Sequence, residues 1–169
     1  MASRDSLTAE RVRELLDYDP DTGVLTWKVT SRRHWLRGQP AGAKHSGGYI
    51  RVYVIGREYY AHRLAWLHVK GEWPANQIDH VNGDRTDNRI CNLRDATSTQ
   101  NHGNANKRTD NTSGIKGVSV HSTSKRWRAR LHFGGVERHL GFFATKEEAA
   151  EAYRTAAEKH FGEFAKPTP

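Results

Sequence analysis

The chain has 169 residues, a length that suits one ordinary domain or two small modules. Its 27 Lys and Arg residues exceed its 19 Asp and Glu residues, and the resulting formal charge of +8 favours a polyanionic partner. A single cysteine, Cys91, excludes a disulfide framework and a cysteine-based zinc cluster. No apolar run resembles a signal peptide or reaches the roughly 20 residues of a membrane span, so we expect a cytoplasmic protein.

The first sixty residues predict a scaffold of one helix and several strands. Thr8 can cap a helix that runs to about Leu16, with Leu7 and Val12 placed as a hydrophobic staple. The pattern then predicts, in chain order, a turn at 19–23, a strand at 24–29, a hairpin of residues 49–55 and 58–61, and a short helix from His62 to Gly71.

Basic residues accompany this scaffold in two places. Residues 32–37 alternate basic groups with Trp35, which makes Arg32 and Arg33 candidate contacts to DNA; a surface loop with Trp35 folded inward is an equal alternative. Arg63 precedes the central segment and is a further candidate DNA contact, whereas His62 is also compatible with a buried hydrogen bond.

The central segment, 78–106, is the most informative part of the chain. Its pattern predicts a strand at 77–80, a turn at 81–84, a loop at 87–91, a strand at 93–96, and a short helix capped by Thr97 or Ser98. An imidazole at the end of the first strand and an amide on the following helix can face each other across a narrow cleft. That arrangement suits the hydrolysis of a phosphodiester held against one divalent ion.

This segment resembles the HNH homing endonucleases, whose nuclease unit is the ββα-metal or His-Me finger, in Asp79-His80, Asn92-Leu93 and Gln100-Asn101. The resemblance implies that His80 is the general base, that Asn92 ties the loop to the fold, and that Asp79 and Asn101 bind one divalent cation. Oxygen ligands favour Mg²⁺ or Mn²⁺. Many relatives have histidine in place of Asn101, and His102 is adjacent; we favour Asn101 because Asn104, a candidate DNA contact, follows on the same helical face.

A second unit is predicted to follow a polar linker at 107–113. Its strands are expected at 115–121, 126–133 and 138–142, followed by a helix from Thr145 to Phe161 that Gly162 ends. The helix starts with a capping box, Thr145 to Glu148, and has an alanine-rich apolar face.

One face of the predicted second sheet is basic. In the middle strand, apolar residues alternate with Arg126, Arg128, Arg130 and His132, which therefore point away from the helix. The unit resembles the Apetala-type (ethylene response factor) DNA-binding domain in Lys116-Gly117-Val118, residues 125–131, residues 140–143 and the alanine-rich helix. The resemblance implies that the DNA-facing positions of the sheet are Lys116, Ser119, His121, Arg130, His132 and His139.

Together these features predict an α+β protein. Residues 1–60 would form a scaffold of helix and strands, 61–106 the ββα-metal nuclease unit, 107–113 the linker, and 114–166 a small three-stranded antiparallel sheet packed on one helix. The predicted function is a site-directed, phage-type DNA endonuclease that acts as a monomer on double-stranded DNA, in the host cytoplasm if phage-encoded. The alternatives are a catalytically silent DNA-binding regulator and, less favoured, an RNA-processing nuclease.

Overall fold

The computed structural model describes residues 7–28, 34–105, 107 and 110–166. These residues belong to two compact units that divide between Asp95 and Ala96. The fold is α+β, with four α-helices and several small antiparallel sheets in the described parts of the chain.

The first unit begins with helix α1 (Ala9–Leu15), which Thr8 caps by accepting a hydrogen bond from the backbone N–H of Arg11. The strands are β1 (Leu16–Tyr18) paired with β2 (Leu25–Trp27), then β3 (Ala43–Lys44), β4 (Ile50–Val54) and β5 (Arg57–Tyr60) in a three-stranded sheet. Helix α2 (Ala61–Lys70) follows directly, and Gly71 ends it in the left-handed conformation.

These elements share one apolar core. The predicted staple residues Leu7 and Val12 are both buried in it, beside side chains of β1, β2, β4 and α2. Strands β6 (Gln77–His80) and β7 (Leu93–Ala96) pair in a two-stranded sheet, and a short 3₁₀ helix (Ile90–Asn92) precedes β7. Ile78 and Leu93 pack with Ala65 of α2, which anchors this sheet to the rest of the unit.

The second unit begins with helix α3 (Ser98–Asn104), which Thr97 caps in a capping box with Gln100. Its sheet has the order β10 (Val136–Phe143), β9 (Trp127–Phe133), β8 (Val118–Val120), all antiparallel. Helix α4 (Lys146–Phe161) starts with the predicted Thr145–Glu148 capping box, and its buried residues pack on Ala129 and Leu131 of β9.

Helix α3 belongs to the same compact unit as the C-terminal elements. A Cβ atom at position 103 would lie 2.7 Å from the ring of Phe161, so glycine at this position allows α3 to approach α4 closely. Ala96 likewise lies in the second core. The division into scaffold, nuclease unit, linker and DNA-binding domain therefore stays a prediction.

Two further details differ from the sequence analysis. The first C-terminal strand starts at Val118, later than predicted, because Gly117 has φ +74° and lies against Tyr153, where a Cβ would be 2.2 Å from the ring. Trp35 is 61% exposed, so the alternative with its ring folded inward is wrong. No helix in the described ranges is long and apolar enough to cross a bilayer.

Candidate active site

Strand β6 carries Asp79 and His80 as neighbours, and both side chains are buried. Asp79 forms an ion pair with Arg94 of β7, in which Nη2 and Nε of the guanidinium lie 2.8 Å and 2.9 Å from Oδ2 of the carboxylate. A carboxylate in such a poorly hydrated place needs a compensating charge, and Arg94 supplies it.

His80 is held by side chains from three other segments. Its Nε2 lies 3.3 Å from Oδ1 of Asn88, a buried residue of the loop between β6 and β7. The ring of His62, on α2, meets the ring of His80 edge-on with centroids 5.1 Å apart, and the ring of Tyr49 lies 6.0 Å away. The imidazole therefore has a defined orientation.

Burial lowers the pKa of His80 from its ordinary value, although the hydrogen bond to Asn88 and the nearby carboxylate of Asp79 oppose this shift. Burial also lowers the pKa of His62, to about 3, with smaller contributions from His80 and Arg63. Both rings are therefore neutral at pH 7, and a neutral imidazole is the form that can accept a proton.

Asn92 connects the two sides of the loop. Its Oδ1 accepts a hydrogen bond from the backbone N–H of Asn82 at 3.0 Å, and its Nδ2 donates to the backbone carbonyl of Asp87 at 2.8 Å. The backbone carbonyl of Asn92 also accepts from the N–H of Val81, next to His80. One buried side chain thus fixes the loop that carries Asn88.

Helix α3, which carries Asn101, belongs to the second unit. Asn101 is half-buried, and His102 is exposed with its Nδ1 2.6 Å from the backbone carbonyl of Ser98. Asn104 is buried, and its role as a DNA contact stays a prediction.

The donor chemistry of the candidate ligands fits a hard cation. One carboxylate and one amide are both oxygen donors, which suit Mg²⁺ or Mn²⁺. Among the residues that the structure describes, no three His, Cys, Asp or Glu side chains are grouped so that they could hold an ion alone. An ion at Asp79 would therefore need amide, water or phosphate oxygens as well.

The second unit presents the basic sheet face. Arg130 forms an ion pair with Glu137 of β10, with Nη1 3.0 Å from each carboxylate oxygen. Nε of Arg128 and Oγ of Ser119 are buried and have no hydrogen-bond partner among the described residues. The rings of His121 and His139 pack on Phe142, with centroids 4.9 Å and 4.7 Å apart.

Other residues predicted to contact DNA have structural partners. Lys116 donates to the backbone carbonyls of His102 and Gly103 at the end of α3, and burial lowers its pKa to about 8.

Arg126 donates to the carbonyl of Phe142, while His132 is exposed beside His102. Arg63 lies over the ring of Trp73. Arg32 and Arg33 lie outside the described residues.

Sequence reasoning missed three residues of the site: Asn88, Arg94 and His62 as a neighbour of His80. Asn88 lies in a run of turn-forming residues, so its composition indicates only a loop. Arg94 lies on the predicted second strand. A basic residue on a strand that pairs with the strand of Asp79 could have been predicted as its partner.

Comparison with known proteins gives a consistent result for the central segment. The model of the HNH endonuclease family matches residues 59–103. An uncharacterized HNH endonuclease of Acanthamoeba polyphaga mimivirus is 28% identical over 142 residues, which cover 83% of this chain and 70% of the relative. Protein 3.8 of Escherichia phage T7 is 32% identical over 106 residues, 62% of this chain and 87% of that protein.

The C-terminal part gives a shorter match. An AP2-like ethylene-responsive transcription factor of Arabidopsis thaliana is 49% identical over 49 residues, 28% of this chain and 10% of that protein. No solved structure matches. The family match over the segment that carries Asp79, His80 and Asn92, together with the viral relatives, shows that the chain belongs to the HNH endonuclease family.

Proposed function

We propose that this protein is a site-directed, metal-dependent DNA endonuclease of the homing type, in which His80 is the general base. Membership of the HNH endonuclease family implies a nuclease and a DNA substrate. The orientation of His80 is the observation that carries the proposed mechanism.

An amide oxygen can only accept, so the hydrogen bond to Oδ1 of Asn88 requires a proton on Nε2 of His80. In the neutral ring the lone pair is then on Nδ1, and this is the atom that would take a proton from the attacking water. The new bond forms between that water oxygen and phosphorus, and the bond from phosphorus to the leaving sugar oxygen breaks.

Asp79 and Asn101 would hold the divalent cation, with Arg94 keeping the Asp79 carboxylate in place. A bound cation supplies charge stabilisation at phosphorus and at the leaving oxygen. Asn92 would act through the loop, because the side chain that bridges Asn82 and Asp87 also fixes the position of Asn88.

The basic sheet of the second unit would recognise DNA as an Apetala-type domain. The short similarity to a plant AP2-like factor supports this proposal, as does the set of cationic groups on the face away from α4. We expect a monomer that acts in the cytoplasm of the host cell.

A nicking assay on supercoiled plasmid tests the proposal. The wild-type protein should cut with Mg²⁺ or Mn²⁺ and stop when EDTA is added. His80→Ala should lower the rate by about 10² to 10⁴, the usual contribution of a general base, without loss of DNA affinity. His45→Ala, which removes an exposed imidazole from the same unit, is the matched control.

Two results would contradict the proposal. Cleavage by His80→Ala at the wild-type rate would exclude His80 as the base. Tight DNA binding without cleavage in any divalent metal would instead support the silent regulator.

A further inference from the structure

The hairpin formed by β4 and β5 has two large apolar side chains in solvent. Tyr53 is 67% exposed and Ile55 is 61% exposed, whereas Val52 and Val54, which alternate with them, are buried in the core. One face of β4 is thus buried in the core, whereas the opposite face and the tip of the hairpin expose apolar side chains to water.

The backbone at the tip is unfavourable for the residue that occupies it. Val54 pairs with Arg57, so Ile55 and Gly56 form a two-residue connection, with φ of 47° and 75°. Turns with two positive φ values favour Asn-Gly, and a β-branched residue is strained there. Stability alone would select asparagine, so isoleucine at this position needs another explanation.

The hairpin is also basic and leads to the candidate active site. Its sheet carries Lys44 and Arg57 beside the ion pair of Arg51 with Glu58, and this excess of positive charge complements a nucleic-acid backbone. At the base of β5, the ring of Tyr60 stacks on that of His62, which contacts His80. Ile55 precedes Tyr60 by five residues, and an extended strand covers that separation in about 17 Å.

We infer that the β4–β5 hairpin is a wedge that opens the DNA substrate beside the cleavage site. Ile55 inserts between two adjacent base pairs, Tyr53 packs against the exposed sugar or base edge, and the basic side chains contact the flanking phosphates. Apolar side chains that enter a base step in this way unstack it and bend the duplex. Because Tyr60 and His62 lie between the hairpin and His80, the opened step is expected to be several base pairs from the cut phosphate.

This inference rests on the DNA substrate of the proposed function but not on its chemistry. The experiment therefore measures binding in EDTA, where no cleavage occurs. Duplexes of the plasmid segment that the protein binds carry 2-aminopurine at successive positions, and its fluorescence rises where the base is unstacked. We expect wild-type protein to raise the fluorescence at one step, several base pairs from the cut.

The variant Ile55→Asn distinguishes loss of the wedge from loss of protein stability. Asparagine accepts positive φ, so the melting temperature should equal or exceed that of the wild type, while the fluorescence rise disappears and DNA affinity falls about 10-fold. Ile55→Leu should keep the signal, because the apolar side chain remains. Val69→Asn removes another exposed aliphatic side chain from the same unit and should leave binding unchanged.

Several outcomes would overturn the inference. An unchanged fluorescence rise and affinity in Ile55→Asn would do so, as would an equal loss of both in Val69→Asn. If Ile55→Asn proved unstable, Ile55→Gly, which has no side chain and tolerates the same backbone, should lose the signal instead. Wild-type protein that unstacks DNA but never cleaves it would refute the proposed chemistry alone, whereas cleavage without unstacking at any position would refute the wedge alone.

Discussion

The amide oxygen of Asn88 lies 3.3 Å from Nε2 of His80, and both residues are buried. Eight residues separate them in the chain, and the loop between them is held by Asn92. The imidazole therefore has a fixed tautomer and a fixed orientation, the two properties that a general base requires.

Replacing Asn88 should change both the rate and its pH dependence. Asn88→Leu removes a hydrogen bond that raises the pKa of His80, so the acid limb of the pH–rate profile should move to lower pH. Asn88→Asp puts a negative charge beside the ring, so the limb should move to higher pH. Because the ring loses its orientation in Asn88→Leu, kcat should fall about 10- to 100-fold. Identical pH profiles in both variants would contradict this role.

The ion pair of Asp79 and Arg94 gives a prediction about stability and metal. Arg94→Met leaves a buried carboxylate without its counter-charge and should cost about 3 kcal/mol of unfolding free energy, measured by urea denaturation. A divalent cation should then restore part of this stability, because it replaces the lost positive charge.

The control is the double variant Asp79→Asn with Arg94→Met, which has no charge to compensate. It should be more stable than Arg94→Met alone and should not respond to Mg²⁺ or Mn²⁺. An equal metal response in the two proteins would show that the cation binds elsewhere.

Local signals were sufficient for much of the fold. Residue type and spacing predict the helix caps at Thr8 and Thr145, and they predict Thr97 or Ser98 for α3, where the structure has Thr97. Strands β6 and β7 have the predicted bounds. Asp79 and His80 were candidates because their spacing to Asn92 matches a known family.

The supporting residues of the site were not predictable in the same way. The residue type of Asn88 indicates only a turn. The adjacent residues in the sequence do not distinguish an amide that binds an imidazole from one that stabilises a loop. His62 reaches His80 because α2 packs on β6 and β7 through Ala65, a tertiary contact that local sequence does not reveal. Lys116, predicted to face DNA, donates to backbone carbonyls at the end of α3, and this contact depends on the position of that helix.

Because His62 is buried, we expect the folded protein to lose stability in acid. Burial lowers its pKa in the folded protein to about 3, against an ordinary value of 6.5, so the unfolded state binds its proton first as the pH falls. The stability contribution is complete above pH 6.5 and is lost between pH 6.5 and pH 3. At pH 5.5 the loss should be about 1.4 kcal/mol relative to pH 7.5.

His62→Phe, which keeps a ring but cannot be protonated, isolates this effect. Its unfolding free energy should fall less than that of the wild type between pH 7.5 and pH 5.5, by about the same 1.4 kcal/mol. Parallel stability curves for the two proteins would exclude titration of His62 as the cause.

Asn101 and His102 are alternative candidates for the cation ligand on α3. Successive helical residues point about 100° apart, so only one of them can face a bound cation. His102 has its Nδ1 at the carbonyl of Ser98 and is exposed, so His102→Ala should keep most of the nuclease activity. Asn101→Ala should require much more Mg²⁺ or Mn²⁺ for half-maximal cleavage. The opposite pattern would reassign the ligand to His102.

Arg128 and Arg130 distinguish two kinds of DNA contact on the sheet. Arg130 is held by both carboxylate oxygens of Glu137, so its guanidinium is oriented before binding and suits a base edge. Arg128 is half-buried on the same face, and no carboxylate among the described residues is seen to orient its guanidinium, which suits contact with a phosphate rather than with one base edge. We therefore expect Arg130 to contact a base and Arg128 to contact a phosphate.

Binding across a salt series, on the cognate site and on single-base variants of it, separates the two contacts. Arg128→Ala should weaken binding to all sequences alike and reduce the salt slope by about one. Arg130→Ala should cost about 1 to 3 kcal/mol at one base position and leave the other positions unchanged. Glu137→Gln should weaken discrimination at the same position, because Arg130 loses the charge that orients it. Wild-type affinity and selectivity in all three variants would mean that this sheet face does not contact DNA.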